Sequence, residues 1–476
     1  MYQKHNFIFI LVLLSALGSC KIPALTAVPD AAKAPAAYIA GSTDTSSSGT
    51  ISWKVFFTDA DLNALIDTAL LHNQELAITL QEIEMSRNDI RLRKSKLLPV
   101  AEAGAGMGIE KVGRYTSQGA GDASTEITPG KEVPEWLPDF RGGIYASWEY
   151  DAWKKLHNAT QAATYRYLSS IEGRNFVLTN LIAEIAAAYY ELLALDAQLN
   201  IVRESIRLQE AALETVRIQK QAAAANELAV KKFEAEVLGS KSKEFAILQE
   251  IKAVENELNR LTGRFPQPVK RSSAGIFTAT PPLVTAGIPS QLLMNRPDIR
   301  QAEMDLRAAQ LDVNVARAEF LPRFSITAGL GLQAFSPKYL YRLPESVLFS
   351  VAGDIAGPLI NKAAIITEYK NANARQIQTV YHYEKCIVNA FAEVETGLTG
   401  IQNLDAVFRT KEKQVTALTA SVEIAGELFK AARADYLEVL MTQRDALEAK
   451  LELTEIRLNQ FKAATQLYKA LGGGWK

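Results

Sequence analysis

Any chemistry in this 476-residue chain must come from a short roster of groups. The four histidines, His5, His72, His157 and His382, are scattered, and no nucleophile elbow, phosphate loop or metal-spaced cluster accompanies them. They define no catalytic and no metal site, so no enzyme is expected. Of the two cysteines, Cys20 directly follows an apolar run and Cys386 stands apart. Asp435 and Glu438, in "ARADYLEVL", have the spacing of a helix N-cap and its N3 residue, a close relative of the capping box.

Cys20 lies within "FIFILVLLSALGSCKIP", Phe7 to Pro23. A charged start (Lys4), an apolar stretch and small residues before a cleavable bond have the layout of a secretory signal, so export is expected. Leu17-Gly18-Ser19-Cys20 also resembles a bacterial lipobox, whose cysteine becomes the lipidated first residue of the mature protein. The bland alternative is an ordinary signal with an incidental cysteine. Lys21 lacks the aspartate that commonly retains lipoproteins in the inner membrane, which favours the outer membrane. Apart from a covalent lipid on Cys20, no cofactor is expected. Once Cys20 is acylated, Cys386 has no partner for an internal disulfide, and the fold must hold by packing.

Charge excludes one class of partner: 52 basic and 53 acidic residues leave a formal charge of -1, with no basic field for nucleic acid. After residue 20 no apolar run approaches the roughly 18 residues of a spanning helix. Even "LIAEIAAAYYELLALDAQL" is interrupted by Glu184 and Glu191. Any membrane crossing is expected to use strands.

The elements that position these groups are mainly helices. All 17 prolines lie outside Asp139 to Phe265 and Leu359 to Lys476, two tracts rich in strong helix formers. In Leu199 to Gln219, Ile201, Val202, Ser205, Leu208, Ala212, Thr215 and Val216 recur every three or four residues, the stripe of a helix packed along another. A helix of about 60 residues spans on the order of 90 Å. Asn226 and Asp435 offer N-caps that break each tract into a helical hairpin. The stretch from Arg264 to Pro297 holds six prolines and reads as a connector.

Around the remaining prolines the period drops to two. Ala101, Ala103, Ala105, Met107 and Ile109 alternate with small or acidic residues. Phe140 to Asp151 and Arg323 to Leu332 alternate in the same way, and Val347, Phe349, Val351 and Ile355 mark a less regular fourth strand. Each has about the ten residues a tilted strand needs to cross hydrocarbon. Four strands in lipid leave open edges at several kcal/mol per unsatisfied group, so a barrel must be shared between chains. Strand counting permits a dimer with eight strands or a trimer with twelve.

The sequence also repeats. "SKLLPVAEAGAGMGI" over "AEFLPRFSITAGLGL" pairs Pro99 with Pro322 and Gly108 with Gly331 at an offset of 223, while Leu228 with Leu437 and Gly263 with Gly472 pair at 209. The difference falls in the loop from Lys111 to Pro138, longer than the one from Ala334 to Glu345, and length changes gather in exposed loops.

A duplicated helix, strand, strand, long-hairpin unit behind a lipobox resembles the TolC-like outer-membrane factors, specifically the lipoprotein branch serving resistance-nodulation-division efflux pumps. The motifs that carry this are "GIPSQLLMNRPDIRQAEMDLRAAQLDVNVARAEFLPRFSITAGLGL" (Gly287 to Leu332) and "LYKALGGGW" (Leu467 to Trp475). The resemblance implies an α+β membrane protein: a homotrimeric α-helical barrel with a shared 12-stranded outer-membrane β-barrel, four strands per chain and two structural repeats. The expected organisation is a signal peptide over 1–19, a lipid-anchored extension over 20–52, a first repeat over 53–265, a Pro-rich connector over 266–290 and a second repeat over 291–476. The implied partners are a periplasmic adaptor, an inner-membrane pump and outer-membrane lipid, in a passive conduit for small molecules reaching from the outer membrane into the periplasm.

The resemblance also implies a periplasmic gate near the second hairpin turn, with Glu438 and Met441 at the matching positions and Asp435 and Arg433 beside them. Met441 stands where many relatives have an acid. The bland reading of Glu438, a cap reaching back to Asp435, is compatible with a gate. Adaptor contacts are expected around the hairpin turns, at Ala224, Asn226, Ala432 and Tyr436. Arg296-Pro297-Asp298 reads as a turn entering a helix with Pro297 at N1. Two alternatives stay open: a conduit for type I protein secretion, and a periplasmic coiled-coil adaptor lipoprotein, which should have one hairpin and no lipid-facing strands.

Overall fold

A computed structural model describes residues 22–30, 35–39, 45–223, 225–272, 275–431 and 433–475. Cys20, Ala224 and Ala432 lie outside the described residues. In chain order the main elements are α1 (Ala60–His72), α2 (Gln74–Ser95), β1 (Val100–Glu110), β2 (Leu137–Tyr150), α3 (Lys155–Gln221), α4 (Glu227–Leu261), α5 (Pro297–Ala318), β3 (Arg323–Ala334), β4 (Val347–Ala356), α6 (Ala363–Lys430) and α7 (Tyr436–Ala470). The long helices α3 and α6 have 67 and 68 residues and α4 and α7 have 35 each, so the repeat in the sequence is a repeat of elements.

The chain forms two compact units, to each of which both repeats contribute. The first draws on residues 22–29, 85–167 and 305–380 and holds an antiparallel sheet of order β1-β2-β3-β4. Strand β2 ends at Tyr150, one residue before the sequence pattern suggested. Asp151 leaves the ladder because its carboxylate accepts the N–H groups of Leu156 (3.0 Å) and His157 (2.9 Å), satisfying donors in the first turn of α3. The long loop after β1 carries a short helix, Ser117–Asp122, and a small hairpin, Glu126–Thr128 with Lys131–Glu132.

The second unit draws on the described parts of 30–84, 168–304 and 381–475. Its core joins Phe57, Leu62 and Ile66 to Ile182, Ile185, Tyr189, Leu192 and Leu193 of α3 and Leu258 of α4. Each such buried side chain contributes on the order of 1.5–3 kcal/mol. Contrary to expectation, α3 contains an 18-residue stretch apolar enough for a membrane span, but 61% of it is buried within the protein, as befits a core helix. The buried stripe of α3 also differs from the predicted one. It runs through Val202, Ile206, Gln209, Leu213 and Val216, and leaves Leu208 half exposed. The Tyr189 hydroxyl donates to Asp59 Oδ2 (2.9 Å), while Asp59 Oδ1 caps α1 by accepting the Asp61 N–H (2.8 Å).

The two sequence motifs meet in this unit. Pro297 does begin α5, but Arg296 is more than a turn residue. Only 6% exposed, its guanidinium binds Asp298 (2.7 and 3.0 Å), Glu393 (2.7 Å) and the Ala470 carbonyl (2.9 Å). Trp475 Nε1 donates to the Asn295 carbonyl at 3.0 Å. Gly472 makes this closure possible: its φ is +82°, and a Cβ there would sit 2.5 Å from the Asn295 oxygen.

Candidate functional site

The pleat sorts the sheet into two unlike faces. One carries cross-strand rows such as Ala103–Ile144–Leu330–Phe349 and Ala101–Ala146–Ala328–Val351. Met107, Phe349 and Val351 on this face are 84%, 76% and 78% exposed, so large apolar groups lack protein cover in one chain. The other face is mainly small or polar, with rows Glu102–Tyr145–Gly329–Ser350 and Gly106–Arg141–Gln333, and Val100 and Leu348 are its apolar exceptions. The fourth strand, irregular in sequence, pairs with β3 without a break from Val347 to Ala356. Strands β1 and β4 each have an edge with no further strand partner among the described residues. An apolar outer face, a polar inner face and two open edges are what a segment of a closed membrane barrel presents.

Aromatic residues bracket this sheet. Trp148 and Tyr150 meet edge-to-face at 5.8 Å near the end of β2, and Trp153 follows, its Nε1 donating to the Pro322 carbonyl at 2.7 Å. Trp136, Tyr115 and Tyr341 stand exposed in the loops joining β1 to β2 and β3 to β4. Such girdles suit membrane–water interfaces.

The hairpin turns in the second unit form another site. Asn226 Oδ1 accepts the Ala229 N–H at 2.9 Å and starts α4. Asp435 and Glu438 make a capping box at α7: the Glu438 carboxylate accepts the Asp435 N–H at 3.3 Å, and Asp435 Oδ1 accepts the Tyr436 N–H at 2.7 Å. Phe429, Tyr436 and Val439 pack with Leu213, Val216, Ala229, Val230 and Phe233, which brings the two turns together. One cleft between them is lined by Gln219, Asn226, Phe429, Asp435 and Tyr436. Arg433 is exposed, and its backbone N–H closes the turn on the Leu428 carbonyl at 2.8 Å. Met441, one turn beyond Glu438, is half exposed.

Two further acids lie on α7 beyond the capping box. Asp445 and Glu448 continue the helical spacing from Glu438 and Met441, and Glu448 is exposed.

The sequence profile described as "outer membrane efflux protein" matches residues 65–264 and 288–473. The chain is 28% identical over 466 residues, 98% of its length and 95% of the relative's, to the pyoverdine export outer membrane protein OpmQ of Pseudomonas aeruginosa. It is 27% identical over 424 residues to the cation efflux system protein CusC of Escherichia coli, covering 89% of this chain and 88% of CusC. Its fold superposes on the open state of the MtrE outer membrane channel of Neisseria gonorrhoeae with a TM-score of 0.82 at 23% identity, covering 95% of this chain and 99% of that one. The profile spans both repeats and the two sheet faces have the chemistry of a barrel segment: the chain belongs to the outer membrane efflux protein family.

Proposed function

We propose that the chain is a passive conduit in which three copies close a twelve-stranded barrel in the outer membrane, with the helical hairpins extending into the periplasm to meet an adaptor and an inner-membrane resistance-nodulation-division pump. The observation that carries this reading is the four-stranded sheet with an uncovered apolar face and two open edges. Within it, Cys20 carries the lipid anchor and no catalytic step is required. Asp435, Glu438, Arg433 and Met441 form the periplasmic constriction, while the turns around Ala224, Asn226, Ala432 and Tyr436 receive the adaptor. Relatives of comparable similarity are named for pyoverdine and for cations. Cargo of such different chemistry argues that selection belongs to the pump. Two hairpins and a lipid-facing sheet weigh against an adaptor role.

The test is mild cross-linking of the native envelope followed by affinity purification and mass spectrometry. An adaptor and a resistance-nodulation-division pump should co-purify. Recovery of a secretion ATPase complex in their place would reassign the conduit to protein export.

A further inference from the structure

We propose that the turn between α2 and β1 binds the phosphate headgroup of an anionic phospholipid in the inner leaflet of the outer membrane. This rests on the barrel reading above, which puts the end of the strands that joins the helices on the periplasmic side. In "RLRKSKLLP", Arg91, Arg93, Lys94 and Lys96 crowd four cations into six residues just before the strand. Lys94 and Lys96 are exposed and have no ion-pair partner among the described residues. Exposed Arg91 donates to a neutral group, Asn88 Oδ1, at 3.0 Å, while Arg93 is held by Asp89 at 3.4 Å.

The turn is tied to the apolar face of the sheet. Trp148 lies two residues beyond Ala146 on β2 and so shares the face of the row Ala101–Ala146–Ala328–Val351. Its Nε1 donates to the Leu97 carbonyl at 2.9 Å, which fixes the residue after Lys96 at the aromatic end of that face. Leu92 and Leu98, 55% and 65% exposed, flank the cations with apolar side chains. Cations beside exposed apolar groups at the level of an aromatic girdle match both the charge of a lipid headgroup and the acyl boundary beneath it.

Helix-end electrostatics do not account for the cluster. Basic residues favour a helix C-terminus, but α2 ends at Ser95 and Lys96 lies beyond it. The repeat supplies an internal comparison. At the offset of 223, Arg91, Arg93, Lys94 and Lys96 correspond to Asn314, Ala316, Arg317 and Glu319, so a single cation suffices in the last turn of α5. In that second turn Glu319 binds Lys155 at 3.4 Å, and Ala316 and Phe320 are buried against Tyr369 and Ala372 of α6. The second turn is satisfied within the protein, whereas the first presents its charges to the membrane surface.

The experiment is native mass spectrometry of the full-length protein in mild detergent, titrated with phosphatidylglycerol or with phosphatidylcholine of identical acyl chains. Wild type should retain phosphatidylglycerol at lower concentrations than phosphatidylcholine. The double variant Lys94→Gln/Lys96→Gln should weaken phosphatidylglycerol retention about tenfold and leave phosphatidylcholine unchanged. Arg317→Gln, at the counterpart turn, should stay near wild type. Equal retention of the two lipids by wild type, or an equal loss in Arg317→Gln, would overturn the site, while a trimer in the same spectrum would leave the conduit reading standing. Equal retention joined by loss of the adaptor from the cross-linked complex in the double variant would overturn the lipid site in favour of a protein contact. A lipid-free monomer would overturn both the site and the barrel on which it rests.

Discussion

The carboxylate of Glu438 accepts the backbone N–H of Asp435 at 3.3 Å, so the acid proposed for the gate is also the N3 partner in the capping box of α7. The two roles respond differently to substitution. Glu438→Gln keeps an acceptor for the cap and removes the charge, so cation preference in single-channel recordings should fall while thermal stability holds. Glu438→Ala should add a stability loss of about 1 kcal/mol. Unchanged selectivity in Glu438→Gln would leave a structural cap and move the gate to another residue, with Asp445 and Glu448 next on the same face.

Strand packing gives a second expectation. A Cβ on Gly143 would stand 2.6 Å from the Leu330 oxygen and 2.7 Å from Gly331 Cα, whereas one on Gly108 meets nothing within 4 Å. Gly143→Val should force β2 and β3 apart and abolish the folded, detergent-resistant oligomer on a gel, because overpacking costs about 1–3 kcal/mol even where some relaxation is possible. Gly108→Ala should migrate as wild type.

Arg296 should be the costliest single residue outside the sheet. Arg296→Met removes the partner of Asp298, Glu393 and the Ala470 carbonyl at once, and breaking a buried ion pair costs about 3–5 kcal/mol. Arg296→Lys should rescue little of this, because an ammonium lacks the planar fork that binds Asp298 through two nitrogens. Denaturant unfolding of the purified protein would measure both.

A pH dependence follows from Glu255. Burial pushes its carboxyl up, but hydrogen bonds from Arg271 (2.8 Å) and Lys252 (3.3 Å) outweigh this and hold it below its ordinary value of 4.5. The folded value lies below the unfolded one, so this stabilisation is complete above about pH 4.5 and is lost as pH falls through the folded value. Glu255→Gln should be less stable at neutral pH and show a shallower decline in melting temperature below pH 4.5. Parallel curves for the two proteins would contradict the assignment.

Local pattern made much of this architecture readable. Period-two alternation located all four long strands, and Asn226 and Asp435 marked the starts of α4 and α7 because capping depends on residues within one turn. What escaped depends on distant partners. The Arg296 links to Glu393 and Ala470 span 97 and 174 residues, and no local rule anticipates them. The buried face of α3 differed from the predicted stripe because Ile206, Gln209 and Leu213 face inward while Leu208 is left half exposed. At the turns, the capping box was legible, but the packing of Tyr436 and Val439 against Val216 and Phe233 was not, because it joins two hairpins. The placements proposed for Cys20, Ala224 and Ala432 rest on sequence, since these residues lie outside the described structure.

The central claim is that the open edges of β1 and β4 are closed by other copies of the chain. Native mass spectrometry of the protein extracted from the outer membrane in mild detergent tests this most directly. Three copies should fly as one assembly, consistent with twelve strands in a closed barrel. A stable monomer that keeps the β-sheet signal in circular dichroism would contradict the shared barrel and the channel built on it.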